Sequence, residues 1–273
     1  MTDENKKINI EIANIDDTNE LNELGISYGS QGLYDEAIAV FERILEIDPL
    51  NANALSNIGL ANDFQGNTEK AIEYFLKALV IDDQLIAAQS NLASIYSRLG
   101  RYEEALVLCE KLLKQTPENH EVWASIGLIY FDMEEYDTAL EYCNKAIELN
   151  TMYTEAKNTI AGIYTNKKEF DKAIAISDEI LEIKPWDFIV LANLGLAYFG
   201  KGDIAKAIEL QERALSIEPT YYIALNNLGW IYQQQGNYKK AIEYYEKALN
   251  FNPNFDTARA NMIDAQNELK KNS

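Results

Sequence analysis

The sequence predicts an all-α fold, a solenoid stacked from antiparallel helix pairs, and three observations carry that reading. The chain repeats itself every 34 residues, seven times over, without an insertion or deletion. Each period holds two stripes of apolar residues at three- and four-residue steps, as two helices with one buried face each require. Turn residues such as Gln235-Gly236-Asn237 part the two stripes, and proline often closes the period, as Pro253 does. Two helices of this size cannot bury their own stripes, so each pair needs its neighbours.

Residues 1–17 form a polar, acidic tail ahead of the repeats. In it Ile8, Ile10 and Ile12 alternate with a strand-like period that finds no partner strand elsewhere. The tail either frays, with some apolar contact to the first repeat, or lies extended in a groove of this molecule or a neighbour. Asp16-Asp17-Thr18 offers N-cap side chains for the first helix, and Glu20 suits its dipole. Repeats then start at Thr18, Ala52, Ile86, His120, Thr154, Phe188 and Tyr222. In the last of them Leu225, Leu228, Gly229 and Tyr232 make the first stripe, and Tyr238, Ala241, Ile242, Tyr245, Ala248 and Leu249 the second. Residues 256–271 read as one more helix, apolar along Ala258, Met262, Ile263, Ala265 and Leu269 and polar behind, as a solenoid cap should be. Residues 18–273 are thus expected to form a single solenoid domain.

Three columns are nearly uniform. Gly25, Gly59, Ala93, Gly127, Ala161, Gly195 and Gly229 keep one position small, as do Ala37, Ala71, Ala105, Ala139, Ala173, Ala207 and Ala241 another. Tyr28, Asn62, Tyr96, Tyr130, Tyr164, Tyr198 and Tyr232 fill a third. Small residues let helices approach while bulky ones interdigitate around them. These columns resemble the tetratricopeptide repeat family over Thr18–Phe255. The resemblance implies a right-handed superhelical solenoid of paired antiparallel helices. A 68-residue period is overlaid on the first, with Ile44, Leu112 and Ile180 alternating with Ala78, Ala146 and Ala214.

Composition excludes several functions. A net charge of −20 opposes binding to nucleic acid, whose affinity comes from phosphate neutralisation by Lys and Arg, and equally to anionic membranes. No charged start with an apolar core opens the chain, and no apolar run reaches membrane-spanning length, so a cytoplasmic location is expected. Cys109 and Cys143 share a column in adjacent repeats; helices stacked about 8–10 Å apart place them beyond disulfide reach, as buried, reduced thiols. His120 is the one histidine, which excludes histidine-pair metal sites. Gly195–Gly202 nearly matches a phosphate loop, but Gly202 stands where a hydroxyl must hold magnesium. No catalytic residue, metal or cofactor is expected.

The resemblance implies that first helices line a concave, ligand-holding surface. One column there reads Glu23, Asn57, Asn91, Ser125, Thr159, Asn193, Asn227, with Asn261 in the cap. An asparagine amide can pair with both a peptide's C=O and its N–H. Leu60, Phe64, Leu128, Phe131, Leu196, Phe199 and Trp230 add apolar groups, and Glu23, Asp63, Glu121, Asp132 and Glu155 outnumber Arg98. Family members that grip acidic chaperone tails use Lys, Asn and Arg at positions that here read Asn22, Ile26, Asn57, Ala87 and Asn91, so only Asn57 fits. The expected function is a non-catalytic scaffold that binds a neutral or basic peptide segment in its groove. The rival is homo-oligomerisation through the N-terminal tail or the solenoid ends.

Overall fold

The computed structural model describes residues 12–271, which hold fifteen α-helices and no strand. Repeat one is α1 (Thr18–Ser30) with α2 (Tyr34–Ile47), and repeat two is α3 (Ala52–Phe64) with α4 (Thr68–Ile81). Then come α5 (Ile86–Arg98) with α6 (Tyr102–Gln115), and α7 (His120–Asp132) with α8 (Tyr136–Leu149). Repeats five to seven are α9 (Thr154–Asn166) with α10 (Phe170–Ile183), α11 (Phe188–Lys201) with α12 (Ile204–Ile217), and α13 (Tyr222–Gln234) with α14 (Tyr238–Phe251). A lone helix, α15 (Asp256–Lys271), follows them. None of these helices is long and apolar enough to cross a membrane.

The chain divides into two compact units, Met1–Ile129 and Tyr130–Ser273, with the boundary inside α7. Consecutive helices pack on one another from α1 to α6 in the first unit and from α8 to α15 in the second. First helices also meet one another: α3 meets α5 in the first unit, and α9, α11, α13 and α15 touch in succession in the second. Helix starts are fixed locally. The Asp17 carboxylate accepts from the amides of Asn19 and Glu20, Asn51 caps α3, and Asp187 caps α11.

One turn reverses every pair. The amides of Leu33, Asn67, Arg101, Glu135, Glu169, Asp203 and Asn237 donate to the carbonyls of Tyr28, Asn62, Tyr96, Tyr130, Tyr164, Tyr198 and Tyr232, at 2.8 to 3.0 Å. The residue before each donor is left-handed, which closes the helix end with a satisfied carbonyl. Five of the seven are glycine, from Gly32 to Gly236, but Glu134 and Lys168 adopt the same conformation with φ 62°.

The core matches volumes between the two helices of a repeat. Gly25 faces the Phe41 ring, Gly59 faces Phe75, Gly195 faces Gln211 and Gly229 faces Tyr245. Where alanine replaces that glycine, at Ala93 and Ala161, the facing column holds the small Cys109 and Ser177. Both cysteines are free and buried, and burial pushes the Cys109 thiol up to about 11 and the Cys143 thiol to about 12. Ile8 and Ile10 lie outside the described residues, whereas Ile12 is buried against Leu21, Val40 and Ile44 of the first repeat. Arg43 holds the same stretch by donating to the Ala13 carbonyl and the Asp16 carboxylate.

Candidate functional site

The asparagine column lies where first helices meet, and much of it is already hydrogen-bonded. Asn57 donates its amide to Asn22 Oδ1 at 3.2 Å, Asn193 to Asn158 at 3.1 Å and Asn261 to Asn226 at 3.1 Å. Each bond runs from one first helix to the preceding one, 35 residues back. The acceptor column reads Asn22, Ser56, Ser90, Ala124, Asn158, Ala192, Asn226, so acceptors of full length stand only in repeats one, five and seven. Asn91 is half-buried opposite the shorter Ser56. Asn227 is 7 % exposed, and its Nδ2 has no hydrogen-bond partner among the described residues. The physical reason is Ala192, which offers no side-chain acceptor where Asn158 and Asn226 do.

The apolar candidates are spread along the same helices. Leu128, at 45 % exposure, is the next-to-last residue of the first unit's share of α7. In the second unit Phe131 is half-buried, with its ring 6.0 Å from that of Tyr136 and over Gly162. Leu196 is also half-buried, and Phe199 tilts onto Trp230 with ring centroids 4.5 Å apart. The structure therefore joins Phe199 and Trp230 into one aromatic pair, on helices that also carry Leu196 and Asn227. In the first unit Asn57 and Leu60 border a cavity with Ile26, Tyr34 and Phe64. Phe64 is 64 % exposed and stacks on Tyr34 at 5.5 Å.

The charges are partly neutralised in place. Arg98 grips both oxygens of Asp63 at 2.6 and 2.7 Å, and Lys184 reaches Glu155 at 3.2 Å. Glu23, Glu121 and Asp132 are exposed. A ligand meeting these helices would find hydrogen-bonding amides, apolar rings and net negative charge. Among the described residues no group of three or more His, Cys, Asp or Glu could hold a metal ion.

The sequence reading did not give Asn22, Asn158 and Asn226 as hydrogen-bond acceptors, nor Gly29 and Tyr34 as neighbours of a cavity. A signal for the former was present: a column one position before the first holds asparagine in repeats one, five and seven. Tyr34 starts a second helix, where a sequence stripe alone assigns it to the core.

Family models described as tetratricopeptide repeat match residues 17–84, 64–129, 120–151, 154–185 and 187–254. No curated protein matches the chain. Among solved structures, a tetratricopeptide repeat protein from Parabacteroides merdae is 23 % identical with a TM-score of 0.79, covering 91 % of this chain and 98 % of its own. The APC/C hetero-tetramer Cut9–Hcn1 gives 18 % identity and 0.66, covering 96 % of this chain and 59 % of the other. Yeast Tom70 gives 19 % and 0.65, covering 94 % and 56 %. At these identities the likeness is one of fold.

Proposed function

Because the chain belongs to the tetratricopeptide repeat family, we propose that it is a non-catalytic scaffold holding an extended segment of a partner protein on its first helices. The observation that carries this reading is the second-unit cluster of Phe199, Trp230, Leu196 and Asn227. Half-exposed rings there stand on the same helices as a buried amide donor without an acceptor. Apolar surface offers anchoring energy, and the rings rather than the closed-off Asn227 amide are what a ligand would meet. Asn57 and Asn193 serve differently, as rungs that hold neighbouring helices in register. Phe131 adds a further first-helix ring within the second unit, while Asn91 and Leu128 stand on first helices of the first unit.

The test is selection of peptides from a random library on the full chain, followed by titration of the binders against variants. Phe199→Ala and Trp230→Ala should each cost about 1–3 kcal/mol of affinity, as for central anchors. Binders indifferent to both substitutions would refute the site. A library yielding no binder at all would count against the scaffold reading itself.

A further inference from the structure

The first unit contains a cavity of about 400 Å³ bordered by α1, α2 and α3, in the lower part of the range typical of ligand pockets, about 300–1,000 Å³. Ile26, Tyr34, Leu60 and Phe64 are among the apolar side chains that line it, and Gly29 lies along it. A Cβ built on Gly29 would meet nothing within 4 Å, so the space beside this residue is open.

Stepping along the 34-residue period gives that space a meaning. The Gly29 column carries Phe131 in repeat four and Phe199 in repeat six. Phe131 lies against Tyr136 and over Gly162, and Phe199 against Trp230. Tyr136 belongs to the column of Tyr34, and Gly162 and Trp230 to the column of Leu60. Both reference residues, Tyr34 and Leu60, border the cavity. Where repeats four and six place a phenyl ring of their own, repeat one has a glycine and an open pocket with an aromatic and apolar lining.

We propose that this pocket is a receptor for one aromatic side chain of a partner protein, seated where Phe131 and Phe199 put their own rings. The stacked Tyr34 and Phe64 rings, 7° from coplanar, offer edges and faces that favour another ring over an aliphatic chain. The chain's charge of −20 disfavours a second copy as the donor and suits a neutral or basic segment. The proposal rests on the scaffold reading and adds the chemistry and address of one anchor.

The test uses the full chain with indole, and with capped phenylalanine amide, as probes. Millimolar probe should shift the methyl resonances of Ile26, Leu60 and Ala61. Gly29→Phe should fill the pocket from within, raise the melting temperature and weaken probe binding at least tenfold; Gly29→Leu should do the same more mildly. Probe shifts elsewhere on the chain, or equal probe affinity in both variants, would overturn the proposal. So would a dimer in the parent chain that Gly29→Phe abolishes, since the ring would then come from a second copy. Library peptides captured equally by the parent and by Gly29→Phe would remove this pocket and leave the scaffold reading intact. Indole seated at the pocket of a chain that captures no peptide would instead remove the scaffold reading and leave the pocket's preference for rings.

Discussion

Asn193 and Asn227 occupy one column of the repeat, yet only Asn193 has an acceptor within reach. A paired buried amide contributes roughly 0.5–1.5 kcal/mol net, whereas an unpaired one is a cost already present in the fold. Asn193→Ala should therefore destabilise the protein by about 1 kcal/mol more than Asn227→Ala, read as the difference between their urea midpoints. Equal losses would show that Asn227 has a partner. Cys109 and Cys143 give a second expectation at this scale. Their folded values, about 11 and about 12, lie above roughly 8.5 for an unfolded thiol. The folded chain thus holds these protons longer, so the contribution is complete below about pH 8.5 and is lost as pH rises toward the folded values. By pH 10 each thiol should cost about 2 kcal/mol of stability. The parent should lose stability more steeply than the Cys109→Ala, Cys143→Ala variant across that interval. Native labelling at pH 8 should be slow, and fast labelling would contradict the burial.

The turn that reverses each pair makes the clearest expectation at the scale of elements. A left-handed backbone costs a residue with a Cβ about 1–2 kcal/mol, part of which glycine gives back in chain entropy. Glu134→Gly and Lys168→Gly should each raise stability by about 0.5–1 kcal/mol in denaturant unfolding, and unchanged midpoints would mean that their side chains offset the strain. Polar clasps reinforce these turns from the next repeat: Gln65 donates to Asp35 at 2.7 Å, Lys167 to Asp137 at 2.7 Å and Lys201 to Asp171 at 2.5 Å. Such exposed contacts contribute little individually. Helices and turns were legible in the sequence because the periods of Leu225–Tyr232 and of Gly236 record local physics, repeated seven times. The ladder was legible only as a column of asparagines. Its bonds run 35 residues back, a step out of phase with the repeat, so column reading aligned donors with donors and missed the acceptors. The cavity was invisible for another reason: Gly29 reads as a neutral helix residue until its column mates Phe131 and Phe199 are seen to have their rings packed in place.

At the scale of the whole molecule the net charge of −20 sets a long-range field that no single ion pair cancels. A partner segment carrying Lys or Arg beside its apolar anchors should bind more tightly than a matched acidic one, by a margin that shrinks as salt rises past about 0.1 M. Isothermal titration of the two peptides at low and high salt would decide it, and tighter binding of the acidic peptide would refute the preference. Family membership and helix pairing came from the repetition alone, whereas the partner's identity depends on side chains that differ between repeats.

The ladder also bears on how such a chain can be edited by recombination. Gly195 and Gln211, like Gly229 and Tyr245, sit in one repeat, so their fit travels with any 34-residue block that is copied or lost. A rung such as Asn158–Asn193 has its halves in two blocks, and its inheritance depends on which blocks become neighbours. Excising residues 188–221 would remove Ala192 and bring the acceptor of Asn158 opposite the idle donor of Asn227, so that a missing rung closes as a repeat is deleted. Single-block deletions are therefore unequal in what they leave behind, and a lineage trimming this array could lose repeat six without leaving Asn227's amide unpaired.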